Sequence, residues 1–466
     1  MIRMRTLILL AGAAALAGCD MAPKYVRAVS SFVPEQWPQG AAYGARDAGA
    51  VGMPWRMLAG DARLRRVIEL ALVRNQDLAA AVANVQMARA QYHTQRSYQT
   101  PTLAANGGAT IQRGLSGPAI ASTADSTQFA VNVGISGFEI DLFGRLKNLS
   151  RQAFEQYLAS ESGARSTRLT IVAEAATAYA TLAADRELLA VARRQVTSSQ
   201  QALRLTRRLH DVGLVSGGDL ANAQTVLAQA EADIESQTSL VAQDRNALEL
   251  IAGGPVDDAL LPDGLGALDA GIGIVPAGLS SSVLLDRPDV VEAEHQLKGA
   301  NADIGAARAA FFPTISLTML AGVASSSLTS LFNGATTTWS ANPSVSMPIL
   351  GGTNRGNLEY ATAQRDYYLA TYRKTAQTAY REVADGLARR GTIARQRVAQ
   401  HDFVTAAAKS QAIAETRYRR GIDNFLTALI AQRTLYSAQK AEISLVLTDV
   451  ANRITLYQAI GSDDSL

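Results

Sequence analysis

Proline placement constrains this chain more than any other feature. All 13 prolines of its 466 residues fall within 23–118, 255–313 and the pair Pro343 and Pro348, leaving 119–254 and 349–466 proline-free. A proline inside a helix removes a hydrogen bond and costs about 3 kcal/mol, so its absence over such stretches permits very long helices. The segments 145–210 and 354–420 are rich in Ala, Leu, Gln, Arg and Glu, and Ala175, Leu182, Leu189, Val196 and Leu203 recur at every seventh position. That spacing is the one a coiled-coil seam requires. Each helix would run ~65 residues, about 100 Å at 1.5 Å per residue, a length no compact globular domain needs.

The proline map is symmetric because the chain repeats itself. Aligning 77–102 with 289–314 matches Asp77 with Asp289, Ala81 with Ala293, Ala88 with Ala300, Arg96 with Arg308, and Pro101-Thr102 with Pro313-Thr314. Further on, Gly213 meets Gly421, Ala223-Gln224 meets Ala431-Gln432, and Gly253 meets Gly461. A chain of this length would ordinarily suggest about three domains. The repeat predicts instead a signal peptide at 1–18, an N-terminal segment and linker at 19–60, a first repeat at 61–254, an inter-repeat segment at 255–281 and a second repeat at 282–466.

Each repeat carries two stretches of period-two alternation, predicting strands near 101–112, 128–140, 313–324 and 338–350. Phe129, Val131, Val133 and Ile135 alternate with Ala130, Asn132, Gly134 and Ser136; Ile315, Leu317, Met319, Ala321 and Val323 form a similar face, followed by Trp339, Ala341, Val345, Met347 and Ile349. Such strands have one apolar and one polar side. Apolar residues make up 48% of the chain and charged ones only 18%, yet no internal apolar run reaches 18 residues. A protein of several helical spans is thereby excluded, whereas strands of 10 to 13 residues suffice to cross a bilayer when tilted. Tyr98, Phe138, Phe311 and Phe312 fall at the helix-side strand ends, where a membrane barrel carries aromatic residues. Four strands cannot close a barrel, and open edges cannot sit in lipid, so copies must associate: two would supply about eight strands, three about twelve, and only the larger count leaves an aqueous lumen.

The N-terminus shows Arg3 and Arg5, an apolar run from Leu7 to Leu16, then Leu16-Ala17-Gly18-Cys19. The run is a secretory signal, and the tetrapeptide resembles the lipobox of bacterial lipoproteins, which implies cleavage before Cys19 and its lipidation. Asp20 follows, and in enteric lipoproteins an aspartate there favours inner-membrane retention, so this resemblance leaves the receiving membrane open. FEIDLFGRLKN (138–148), LLDRPDV (284–290) and MPILGGTNRGNL (347–358), together with the lipobox and the duplication, resemble the TolC/OprM outer membrane factors, particularly the lipoprotein branch serving multidrug efflux. The resemblance runs from about residue 20 to the C-terminus. It implies a mainly α protein with a membrane β-barrel part: a homotrimer sharing a twelve-stranded barrel in the outer membrane, continued by a periplasmic α-barrel. An iris at its helical end would open when a periplasmic membrane-fusion adaptor and an inner-membrane pump of the resistance-nodulation-division type engage. The chain would be a passive exit duct for small molecules. Type I protein secretion is the alternative export role.

The helix-turn-helix tips are where gating chemistry would lie. Gly213 and Gly421 break the long helices at matching positions, supplying the turns. By resemblance, Asp219 and Tyr418 link neighbouring helices and hold the iris shut, and Leu426 matches an apolar constriction ring. Asp219, just after Gly217-Gly218, could equally cap a helix, and Arg419 or Arg420 could pair with it. The family commonly places aspartate facing the pore a few residues after that leucine; here Thr427 and Ile430 stand there, which predicts an apolar collar.

Other functions find little support. The four histidines, His93, His210, His295 and His401, are dispersed and form no metal-binding spacing; no nucleophile motif or phosphate-cradling loop occurs. No enzyme activity, cofactor or metal is expected. The net charge of +3 comes from scattered Lys and Arg, giving no footprint for nucleic acid. A periplasmic adaptor would need a lipoyl-like β domain between paired helices, and no such segment appears. A coiled-coil scaffold would share the heptads but not the strands.

Overall fold

The computed structural model describes residues 20–27, 33–34, 36–43, 54–112, 126–274, 280–461 and 463; Cys19 and the signal sequence lie outside the described residues. In chain order the elements are α1 (Trp55–Leu58), α2 (Ala62–Arg74), α3 (Gln76–Ser97), β1 (Leu103–Gln112), β2 (Ser126–Ile140), α4 (Arg145–Asp211), α5 (Gly217–Ala252), α6 (Leu265–Gly271), α7 (Pro288–Ala309), β3 (Thr314–Ser325), β4 (Thr336–Ser346), α8 (Thr353–Arg419) and α9 (Phe425–Ile460). The repetition is metric as well as sequential. Helices α3 and α7 have 22 residues each, α4 and α8 have 67 each, and α5 and α9 have 36 each. Among the described residues, no helix is long and apolar enough to cross a membrane.

Two compact units result, and neither coincides with a repeat. One comprises the described residues of 1–27 with Asn84–Glu161 and Glu292–Tyr372; the other takes those of 28–83, 162–291 and 373–466. Each draws on both repeats because the strands of one repeat pair with those of the other.

Among the described residues, the first unit contains a single antiparallel sheet in the order β1-β2-β3-β4. Its register aligns the alternating faces: Ala105 lies opposite Val133, Val133 opposite Ala321, and Ala321 opposite Trp339. The same face carries Leu103, Phe129, Val131, Ile135, Met319 and Val345. On the other face stand Asn106 opposite Asn132, and Thr318 opposite Asn342. Near its end β2 changes phase: pairing shifts between Ile135 and Phe138, where Gly137 has φ +63° and donates its N–H to the Thr318 hydroxyl at 3.0 Å. This bulge moves the apolar pattern from odd to even positions, so Phe138 and Ile140 remain on the apolar face opposite Leu317 and Ile315. Strand β4 ends at Ser346, short of the face extrapolated through Met347 and Ile349, because its partner β3 begins opposite it at Thr314, directly after Pro313.

The second unit is built from two antiparallel helix pairs and the short elements that pack on them. Trp55, Leu58, Leu64, Val67 and Ile68 are buried beneath α1 and α2. Of the heptad residues on α4, Ala175, Leu182 and Leu189 are buried, whereas Val196 and Leu203 nearer the turn are only half-buried. Arg287 explains the LLDRPDV motif. Its guanidinium donates to Asp289 at 2.9 and 2.7 Å, to Glu382 at 2.9 Å and to the Ala459 carbonyl at 2.6 Å, joining the start of α7 to α8 and the end of α9. The inter-repeat segment is likewise tied down: Asp269 of α6 accepts from Arg397 at 2.6 Å and Arg453 at 2.9 Å, and both arginines also bond Asp449.

Candidate gate at the paired helix turns

Helices α4 and α8 end in the same way. The Gly213 N–H donates to the His210 carbonyl and the Leu214 N–H to the Leu209 carbonyl, both at 2.8 Å; the Gly421 N–H donates to Tyr418 and the Ile422 N–H to Arg417, both at 2.9 Å. This doubled pattern satisfies the last carbonyls of each helix and requires a left-handed residue. Gly213 and Gly421 supply it, with φ +75° and +71°, and a Cβ at either would meet nothing within 4 Å. Backbone conformation, not crowding, selects glycine at both turns.

The helices that follow are capped differently. Ser216 precedes α5, and its hydroxyl accepts the Asp219 N–H at 3.1 Å while the Asp219 carboxylate accepts the Ser216 N–H at 3.1 Å and its hydroxyl at 2.8 Å. Asp219 is thus the third helical residue of a capping box rather than the cap itself, and the pattern Ser216-x-x-Asp219 was available in the sequence to show it. Asn424 caps α9, accepting the Thr427 N–H at 3.0 Å and hydroxyl at 2.9 Å. Across this second turn, Arg417 donates to both oxygens of Asp423 at 2.7 and 2.9 Å. Arg419 bonds Glu415 one turn back at 2.5 Å, in place of the partnership with Asp219 that the sequence allowed.

Tyr418 joins the two hairpins within one chain. Only 5% exposed, its hydroxyl shares a 2.9 Å hydrogen bond with that of Thr206 on α4, and its ring lies 5.4 Å from that of Phe425. Ala223, Leu429, Leu205, Leu209 and Val226 complete an apolar cluster from all four long helices. Burial raises the Tyr418 pKa and the Asp219 charge adds to the effect, against an opposing contribution from the Thr206 bond; the phenol stays neutral. Beside it is a cavity of about 240 Å³ lined by Ser198, Leu205, Glu415, Tyr418, Phe425 and Leu429, among others. Thr206 lay outside sequence reasoning because a threonine within a helical repeat carries no pattern; its role exists only once α4 and α8 are side by side.

Leu426 and Ile430 stand one turn apart on α9 and are 51% and 56% exposed. They do not join the Tyr418 cluster. Ile430 instead lines a wider groove with Asp233 and Tyr436, whose hydroxyl donates to Asp233 at 2.8 Å. The structure therefore sorts the gate candidates in two: Tyr418 buried between the hairpins, and two large aliphatic side chains left uncovered by the chain itself.

Residues 67–254 and 279–462 match the family described as outer membrane efflux protein. The chain is 42% identical over 455 residues to the antibiotic efflux pump outer membrane protein ArpC of Pseudomonas putida, covering 96% of this chain and 93% of that protein. Identity to the outer membrane protein OprJ of Pseudomonas aeruginosa is 36% over 451 residues, with coverages of 96% and 93%. Among solved structures, the open state of the Neisseria gonorrhoeae MtrE outer membrane channel superposes with a TM-score of 0.83 at 34% identity, covering 95% of this chain and 98% of that one. The matched segments contain both sets of long helices, both strand pairs and both turns, and the chain belongs to the outer membrane efflux protein family.

Proposed function

We propose that this protein is the outer membrane exit duct of a tripartite efflux pump, a passive conduit for small molecules whose closed state is held at the helix turns. The observation carrying this reading is a four-stranded sheet whose two edges, β1 and β4, have no strand partner among the described residues, in a chain that also builds two long helical hairpins. An edge exposed to lipid leaves backbone groups without partners, and closing the barrel with further copies removes the edges. Three copies supply about twelve strands, enough for a wet lumen. A periplasmic adaptor and an inner-membrane pump of the resistance-nodulation-division type would engage the turns and open them. Deleting the gene should raise sensitivity to several chemically unrelated compounds. Loss of one exported polypeptide with unchanged compound sensitivity would favour the protein-secretion alternative.

The gate in this reading has two parts. Tyr418, with Thr206, fastens the hairpins, while Leu426 and Ile430 of the three copies form apolar collars that hinder wetting; Asp219 completes the capping box of α5 with Ser216 and adds its charge near Tyr418. Ile430→Asp should then introduce a divalent-cation block of single-channel conductance that the wild type shows weakly. Equal block in both proteins would sink the collar.

Cys19 would carry the lipid anchor to the outer membrane. Its neighbours are firmly seated: Asp20 accepts from Asn148 at 3.1 Å and from the Ala22 N–H at 3.0 Å, and the Pro23 carbonyl accepts from Asn301 at 2.7 Å. Asn148 is the fourth residue of α4, shortly after β2, so acyl chains on Cys19 would enter the bilayer at the strand-to-helix junction. Intact-mass measurement of the mature N-terminus tests this, and an unmodified Cys19 would refute it.

A further inference from the structure

Resting on the shared-barrel reading, we infer a specific register for the seam between copies: β1 of one chain pairs with β4 of a second copy so that Ile111 faces Trp339 and Leu103 faces Met347. Three observations lead there. Successive antiparallel pairing across four strands makes β1 and β4 run in opposite directions, so the seam is antiparallel. The faces then restrict the offset. Odd-numbered residues of both edges lie on the apolar side, and a one-residue slip would turn every side chain of one edge against the wrong face. Only offsets differing by two residues remain.

Side chains choose among these. Trp339 and Ile111 are the most exposed large apolar residues of the two edge strands, at 80% and 78%, and an aromatic against a β-branched residue is a favourable cross-strand pair. Bringing them together sets Pro343 opposite Gly107, giving the pyrrolidine ring room, and Val345 opposite Ala105. The ladder then extends β4 by one residue to Met347, which is 54% exposed in the single chain, and stops where Pro348 can donate no N–H. A shift of two in one direction would carry Ile111 and Trp339 apart and set the indole against Ala109. The opposite shift would face Leu103 with Ile349, beyond Pro348.

Cysteine pairs on the polar face read the register directly. With Asn106→Cys and Ser344→Cys in one chain, the two positions lie on opposite edges of the sheet, separated by three strand spacings, about 14 Å, across the strands and by about 20 Å more along them, too far for an internal disulfide. In the inferred register they are directly opposed between copies, about 4.5–5.5 Å apart. Mild oxidation of the protein in outer membranes should convert most chains to reducible covalent dimers and trimers, at least ~10-fold faster than Asn106→Cys with Asn342→Cys or with Ser346→Cys. Thr110→Cys with Ser340→Cys should match the first pair. Faster linkage through Asn342 or Ser346, or no linkage in any pair while the protein remains trimeric, overturns the register. The chain without added cysteines is the control for Cys19, and its native mass tests the shared barrel separately: a monomer would fail that reading, whereas a trimer with linkage at another offset fails only the register.

Discussion

The bond between Tyr418 and Thr206 is the most direct test of the proposed gate. Both residues are buried, at 5% and 0% exposure, and the hydroxyls are 2.9 Å apart. Such a bond contributes about 1 kcal/mol net, but Tyr418→Phe also leaves the Thr206 hydroxyl buried without that partner, raising the expected cost to about 1–3 kcal/mol. Thr206→Val should cost a similar amount. The double variant should cost less than the sum, by roughly 1 kcal/mol, because the second substitution removes a group already orphaned. If the bond favours the closed tip, a loss of about 1.4 kcal/mol makes the open state about tenfold more populated. Thermal unfolding of the purified protein reads the first quantity and open probability in planar bilayers the second. Strictly additive losses would refute the direct coupling. A Tyr418→Phe protein that is less stable yet opens no more often than wild type would confine the bond to folding and refute its place in the gate.

The remaining predictions concern neighbouring groups. Gly421→Ala and Gly213→Ala should each cost about 1–2 kcal/mol, and by similar amounts, since both positions need a left-handed backbone and neither is crowded; a loss at only one turn would contradict the equivalence of the two motifs. Ser216→Ala and Asp219→Ala should each lower stability by about 1 kcal/mol through the capping box, and only Asp219→Ala should change channel opening if that carboxylate also acts in the gate. Burial, reinforced by the Asp185 carboxyl, pushes Asp244 on α5 up to about 6. A carboxyl raised in the folded state stabilises the fold at low pH, and this contribution is lost as pH rises through about 6. Asp244→Asn should therefore flatten the pH dependence of the melting temperature between about pH 4 and 6, with a gain at pH 7 on the order of 1 kcal/mol once the solvent-facing side is discounted; an unchanged profile would refute the assignment.

Much of the architecture was legible in the chain because its determinants are local or periodic. A missing proline, a heptad and a two-residue alternation each act along one segment, and duplication made every inference available twice. Helices α4 and α8, expected over 145–210 and 354–420, form over Arg145–Asp211 and Thr353–Arg419. The glycine turns followed from the same logic, since a left-handed residue is demanded by the last turn of its own helix. Where pairing departs from the period, extrapolation failed: β4 stops at Ser346, opposite the first residue of β3, and the β2 bulge at Gly137 restores an apolar face that strict alternation would have lost.

What only the tertiary structure decided are the partnerships between segments far apart in sequence. Thr206 finds Tyr418, Arg397 and Arg453 converge on Asp269 and Asp449, and Asp20 finds Asn148, each across 52 or more residues except the one-turn contact between Arg453 and Asp449. A hydrogen bond selects its partner by distance and direction, which no spacing along the chain encodes. The sequence by itself determined that long helices, glycine turns and amphipathic strands would form, because those preferences belong to the backbone and its period. Only the packed chain decided which hydroxyl fastens the hairpins and which aliphatic side chains stay uncovered beside them.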